Sequence, residues 1–259
     1  MKKLITTFAF ILLICALCLF LYPTISNQIG LNTATDKINV FNITAGNIKD
    51  GSFKEGLNNN EIDKEGYPID EKGNRTSNIP IVYKYDLDRL YKDSLKYNQN
   101  LQSNQHTILN KDYEYSALNL KDYGIYNGIY GYISASSISL NLPIYLGANE
   151  TNMSYGATHL CYTSLPIGGK SNNTVISGHT GYIGQVFFDN IRKLNISDNV
   201  SVTNYWETLN YKVVETKVVT KTETKDIYIQ KGKELLTLMT CISDGHGNFN
   251  RFIVVCERI

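Results

Sequence analysis

The fold class this sequence predicts is mainly β, a closed or nearly closed barrel of seven or eight short strands with short helices. Three observations predict it. β-branched residues crowd the C-terminal half, and 19 Tyr accompany 19 Gly in the chain of 259 residues, a composition suited to pleated, half-buried surfaces joined by tight turns. From Gly128 onward, short apolar or alternating runs are separated by glycine- and asparagine-rich breaks. That spacing of strand and turn signals is the pattern of all-β barrels.

The elements follow in chain order. Met1-Lys2-Lys3 precedes a continuous stretch, Leu4 to Tyr22, whose only polar members are Thr6 and Thr7. It approaches the ~20 residues a helix needs to cross a bilayer. No small-residue cleavage site follows, because the chain continues Tyr22-Pro23-Thr24-Ile25. Residues 1–22 therefore predict an uncleaved signal anchor, with a cleaved signal peptide as the alternative, and the two lysines keep the N-terminus cytoplasmic and the body outside the cell. Residues 23–80 are polar and glycine-dotted, which predicts a stalk with at most short strands or helical turns. Between Ile81 and Leu109, apolar residues such as Leu87, Leu90, Tyr91, Leu95 and Leu101 recur at three- and four-residue intervals, the mark of an amphipathic helix. Lys111 to Asn127 loses that period and collects tyrosines, so residues 81–127 read as a helix followed by a loop crossing a surface. Residues 128–259 are the barrel. Within it "IYGYISASSISLNLPIY" contains two extended stretches, Thr174–Ser177 ends on Gly178-His179, and "GQVFFDNIRKL" is the best short-helix candidate. "VSVTNYWETLNYKVVETKVVTKTET" reads as two strands with a turn near Glu207 to Asn210.

Composition excludes several classes of function. With 25 Lys+Arg against 24 Asp+Glu the formal charge is +1, and no nucleic-acid partner is expected. Five cysteines, two of them in the apolar span, do not make a disulfide scaffold. Cys161 and Cys256 are expected as buried thiols, with a bridge between them as the alternative. No Cys/His group has zinc-ligand spacing and no glycine-rich phosphate loop follows a strand. Neither a metal nor a cofactor is expected.

Cys241 is the residue whose surroundings ask for chemistry. It follows Thr237-Leu238-Met239-Thr240 and precedes Ser243-Asp244-Gly245, neighbours that make no inert apolar pocket. A nucleophilic thiol needs a proton acceptor or a lowered pKa. His179, between glycines in Ser177-Gly178-His179-Thr180-Gly181, closes a strand and supplies the first. Arg251 opens the strand after Cys241, and its permanent charge suits a developing oxyanion. His179, Cys241 and Arg251 are the candidate catalytic residues. His246 lies nearest Cys241 in sequence but sits in a mobile glycine turn. His106 reads as solvated. His159, in "YGATHLCYTSLP", heads a strand and is expected to hydrogen-bond beside the site. It joins Thr240 as a candidate for substrate binding.

These residues resemble the sortases, cysteine transpeptidases of Gram-positive cell surfaces. The resemblance rests on the Thr-Leu-Met-Thr-Cys241 motif, Ser177-Gly178-His179 and Arg251 in "NRFIVV", and it covers residues 128–259. "GYISASSISLNLPIYLGA", "THLCYTSLPIGG" and the helix ending "YNQNLQSNQ" are most similar to class C, the pilin-type members. Residues 111–127 stand where that class carries its lid and are a candidate lid loop, with packing on the barrel's side as the alternative. Two features depart from the class, since Lys111 to Gly128 contains no proline and so no Asp-Pro-aromatic lid motif, and no second apolar span closes the chain. The resemblance implies an eight-stranded barrel and cleavage of an LPxTG-like sorting signal after Thr. It implies a thioacyl intermediate on Cys241, with His179 as acid and then base. A pilin lysine or a peptidoglycan cross-bridge amine would be the acceptor. The implied partners are thus the sorting-signal peptide, that amine and the membrane. Two other readings stand beside this one. A papain-type exported peptidase would carry its Cys before its His, the reverse of the order here. An anchored, non-enzymatic adhesin would keep Cys241 buried and inert.

Overall fold

The strands form where apolar side chains alternate, and they close on themselves. The computed structural model describes residues 2–49, 52–64, 66–78, 85–105, 112–223 and 225–259. Its eight strands are β1 (Ile129–Ala135), β2 (Leu140–Leu146), β3 (Ala157–His159), β4 (Asn172–Ser177), β5 (Asn199–Asn204), β6 (Thr208–Val219), β7 (Glu234–Ser243) and β8 (Phe249–Arg258). They make a closed barrel in the order β1-β2-β3-β4-β7-β8-β6-β5, which leaves no open sheet edge. The eight-stranded barrel expected from the sequence is the fold observed.

Side-chain parity builds the barrel's interior. Val200 and Val202 of β5, Leu209, Tyr211 and Val213 of β6, Leu236 and Leu238 of β7, and Val254 and Cys256 of β8 meet in one buried cluster. A bulge between Val213 and Glu215 shifts the pairing of β6 with β8. Beyond it Lys217 and Val219 pair with Ile253 and Arg251, so the outer end of β6 lies beside those residues on the barrel's outer face. Two of the pairings are parallel, β2 with β3 and β4 with β7. Parallel neighbours need a crossover. A short helix, α4 (Glu150–Met153), lies in the first, and β5 and β6 lie in the second.

The N-terminal region differs from the expected stalk. Helix α1 runs without a break from Lys2 to Lys49, through Pro23. It contains a candidate membrane span and then continues as a packing helix. Ala34, Ile38 and Phe41 are buried. Ala34 joins the barrel's inner cluster, and Phe41 packs edge-on to Tyr132 and against Tyr205. The physical reason is a seam of small and apolar residues, Asn27, Gly30, Ala34, Ile38, Phe41 and Ala45, at three- and four-residue steps. Short helix α2 (Ser52–Asn58) and two isolated bridges, Ile62 with Pro68 and Ile69 with Arg75, follow.

The amphipathic helix is α3 (Leu87–Asn104), capped by Asp86, whose side chain accepts from the Arg89 amide. It buries Leu90, Ser94, Asn98 and Leu101, and Asn98 bonds the backbone of Leu165 in both directions. Residues 81–84 and 106–109 of the expected helix, and with them His106, lie outside the described residues. "GQVFFDNIRKL" forms only a 3-10 turn at Ile191–Lys193, because Phe187 and Phe188 are drawn into the barrel core instead.

Candidate active site

Register across three strands assembles the site. β7 and β8 pair antiparallel with Cys241 directly opposite Arg251. Such partners share a face, with Cβ atoms about 4.5–5.5 Å apart. β4 pairs parallel with β7, and Ser177 lies opposite Met239. Carried two residues past the end of β4, the same register sets His179 level with Cys241. Cys241 and Arg251 therefore face each other across β7 and β8, Val219 of β6 continues the row, and His179 approaches it from the segment just past β4. Leu236 and Leu238 point into the barrel, so Thr237, Met239 and Cys241 point outward. The row lies on the outer wall. Arg251 does not open its strand as the sequence suggested: β8 begins at Phe249, and β7 likewise runs on past Cys241 to Ser243.

Each member of the row has its own support. The Cys241 thiol is exposed, open to an incoming carbonyl. His179 is half-buried, and its ring lies against Tyr182 with centroids 4.5 Å apart. Burial lowers its pKa, and the Glu150 carboxylate of α4 opposes that shift. The His179 carbonyl accepts from the Phe188 amide at 2.9 Å. Asp189 accepts from the Thr180 hydroxyl and the Gly181 amide at 2.9 and 2.8 Å, closing the loop that follows. Gly178 is needed for packing: a Cβ there would meet the Phe188 ring at 2.6 Å. Arg251 is half-buried, and among the described residues its guanidinium makes one long hydrogen bond, to the Asn250 carbonyl at 3.5 Å. Among the described residues no other hydrogen bond ties down its donor fork.

Below the row lies an apolar wall. Met239 packs against two clusters, one of Ala148, Leu160, Val175 and Ile227, the other of Val219, Leu235, Ile253 and Val255. The segment between β6 and β7 covers this wall and is tied down by polar contacts. Asn173 donates to the Asp226 and Tyr228 carbonyls at 2.7 and 3.1 Å, and Thr237 donates to Asn173 at 2.9 Å. Lys217 bridges Asp226 and Glu215 at 2.7 and 3.0 Å.

The two residues expected to bind substrate are placed otherwise. Thr240 points inward, is buried, and donates to the Gly178 carbonyl at 2.8 Å. It fixes the strand end that carries His179. His159 is also fully buried, with Nε2 at 3.1 Å from both the Thr163 and Ser164 carbonyls. Facing two acceptors, that nitrogen carries the proton. Burial pushes the His159 pKa down to about 4. Both residues shape loops, since inward parity removes their side chains from the surface a peptide would touch. Cys161 and Cys256 are buried and unbridged, and His246 sits exposed in the turn after β7.

The tyrosine-rich segment divides in two. Its start, at Asp112–Glu114, forms a 3-10 turn in which Tyr113 packs against the apolar wall near Met239. Its second half packs elsewhere: Leu120, Tyr123 and Ile125 join the cluster around α3, and Tyr123 donates to Asp93 at 2.8 Å. Sequence reasoning missed two residues, Tyr182 and Glu150. The first was visible as an aromatic three positions after His179. The second comes from a distant turn with no local signal.

Comparison with known proteins identifies the barrel's relatives. A family model described as the Sortase domain matches residues 133–259. Sortase A of Listeria monocytogenes is 30% identical over 131 residues, 51% of this chain and 57% of that protein. Sortase D of Bacillus subtilis is 28% identical over 131 residues, 50% of this chain and 63% of its own length. These matches thus span little more than half the length of the relatives. Among solved structures, sortase C-1 from Actinomyces oris is 32% identical with a TM-score of 0.59, covering 67% of this chain and 98% of its own. A pilus-related sortase C of Group B Streptococcus is 34% identical with a TM-score of 0.57, covering 67% and 89%.

Proposed function

This chain belongs to the sortase family, and on that premise we propose that it is a membrane-anchored, extracellular cysteine transpeptidase acting on an LPxTG-like sorting signal. One observation carries the reading: an exposed thiol paired in register with an arginine whose guanidinium makes one long hydrogen bond among the described residues, with a histidine two residues past the end of the neighbouring strand. The Cys241 thiol gives its proton to His179 as the sulfur attacks the carbonyl carbon of the Thr–Gly bond, and the Arg251 guanidinium donates to the oxygen as it becomes negative. The C–N bond breaks as protonated His179 gives its proton to the leaving amine, so an acyl thioester remains on Cys241. Neutral His179 then takes a proton from the incoming amine. The new amide forms as the C–S bond breaks, and the cysteine is regenerated.

Two amines fit the second half-reaction, a pilin lysine and a cell-wall cross-bridge amine. Likeness to a structure described as a pilus-related sortase C favours the first. Purified protein mixed with a sorting-signal peptide and each amine in turn separates them. The joined product forms with the true acceptor and is absent with Cys241→Ala. Failure of both amines with every LPxTG-like peptide, by a folded chain, would remove the transpeptidase reading.

A further inference from the structure

The loop that follows His179 is docked on the stretch of α1 just beyond its apolar span. The Gly184 amide donates to Asn27 Oδ1 at 2.6 Å. The backbones meet so closely that a Cβ on Gly30 would collide with the Gly184 carbonyl, and one on Gly184 would lie 2.8 Å from Ser26 Oγ. Gly184 has a φ of +82°, a conformation that glycine adopts without penalty. This is a built contact between helix and loop.

Its height along the helix matters. The continuous apolar stretch ends at Tyr22, and a helix rises about 1.5 Å per residue, so Asn27 and Gly30 lie roughly 7–12 Å beyond it. Over that interval α1 still turns Ile25 and Ile29 outward, exposed, and after Lys3 it carries no charge before Asp36. The same loop exposes two large side chains, Tyr182 at 58% and Ile183 at 53%. Tyrosine with an apolar neighbour is the pairing that suits the boundary between headgroups and acyl chains.

We propose that the Tyr182–Ile183 tip is a lipid-contacting surface, seated in the outer headgroup region of the bilayer that α1 spans. The inference rests on the reading of α1 as a membrane anchor. Because Tyr182 also lies against the His179 ring, the bilayer holds the histidine side of the site at headgroup height, and the glycine interlock sets that height. The pairing of a short anchor with a docked loop makes α1 a ruler as well as a tether.

Tryptophan quenching in nanodiscs containing brominated lipids tests this with the full chain. Wild type, measured in parallel, supplies the contribution of Trp206. Ile183→Trp should lose most of its added emission when bromines sit near the headgroups, and Leu12→Trp when they sit deep in the acyl chains. If Leu12→Trp is quenched and Ile183→Trp is not, the seated tip is wrong while the anchor stands. If neither is quenched, the anchor reading itself falls and takes the tip with it. Adding Gly30→Leu to Ile183→Trp should abolish the shallow quenching and spare that of Leu12→Trp. Persistence of the shallow quenching would show that the helix interlock does not set the height.

Discussion

Cys241 and Cys256 belong to the same β7–β8 hairpin and have opposite fates. Cys241 lies on the outer face, exposed, with Arg251 across from it. Cys256 lies opposite Leu236 on the inner face, fully buried, where desolvation pushes its thiol up to about 12. The histidines divide in the same way. His179 is half-buried at the row, whereas His159 is buried with its Nε2 held between two carbonyls. Residue type does not separate the candidate for chemistry from the structural member in either pair. Burial and parity do. A strand puts alternate residues in opposite media, and only the watery side leaves a thiol and an imidazole able to exchange protons with a substrate.

The largest effect that sharpens this contrast is loss of the outer sulfur. Cys241→Ala should reduce product formation to the no-enzyme blank while circular dichroism and melting stay those of wild type. Cys256→Ala should keep the activity and lower the unfolding free energy by about 1–3 kcal/mol, the usual range for a small core deletion. Denaturant titration of both variants checks the division. If Cys256→Ala were the inactive one, the assignment of faces would be reversed.

Arg251 comes next. Arg251→Ala should lower kcat/KM by about 10²–10³, the usual result of losing an oxyanion donor. Arg251→Lys should be nearly as damaging, because lysine keeps the charge but not the planar fork. A lysine variant with half the wild-type rate would reduce the role of Arg251 to bulk charge.

The histidines should part under acid. His159, held neutral in the fold with a pKa of about 4, contributes stability that is fully present above pH 6.5. That stability is lost as pH falls through the window from 6.5 to about 4, where the unfolded chain takes a proton that the folded one refuses. The urea midpoint should fall across this window more steeply in wild type than in His159→Gln. His179, whose pKa is lowered by burial and raised by Glu150, should titrate lower still in Glu150→Gln, as read from its ring resonances by NMR. No change would mean that the carboxylate does not reach it.

The smallest effect belongs to Tyr113. It packs against the wall near Met239 rather than over Cys241 in any described contact, and we propose that it restrains access from below. Tyr113→Gly should speed alkylation of Cys241 severalfold. An unchanged rate would leave the groove open without it.

The candidate site was legible in the sequence where residue type and neighbourhood sufficed. A thiol among Thr, Ser and Asp, a histidine between glycines, and an arginine opening an apolar run named all three members of the row. The row itself was not legible, because it depends on how β4 registers against a strand far along the chain. Parity also misplaced Thr240 and His159, whose polar character reads as surface although their side chains point inward. The long α1 was hidden for a related reason. Pro23 and the run "SNQIGLNTAT" read as turn-forming, and the seam through Gly30, Ala34 and Ile38 acquires meaning only once a barrel lies against it. Its helicity is a tertiary effect.

The most direct test of the central claim is to locate the acyl intermediate. Protein is mixed with a sorting-signal peptide in the absence of any amine acceptor, quenched in acid, digested and mapped by mass spectrometry. The account predicts the N-terminal peptide fragment, ending at its Thr, joined as a thioester to the segment containing Cys241 and released by hydroxylamine. An acyl group on any other residue, or product formed with Cys241 unmodified and replaceable by Ala, would contradict it.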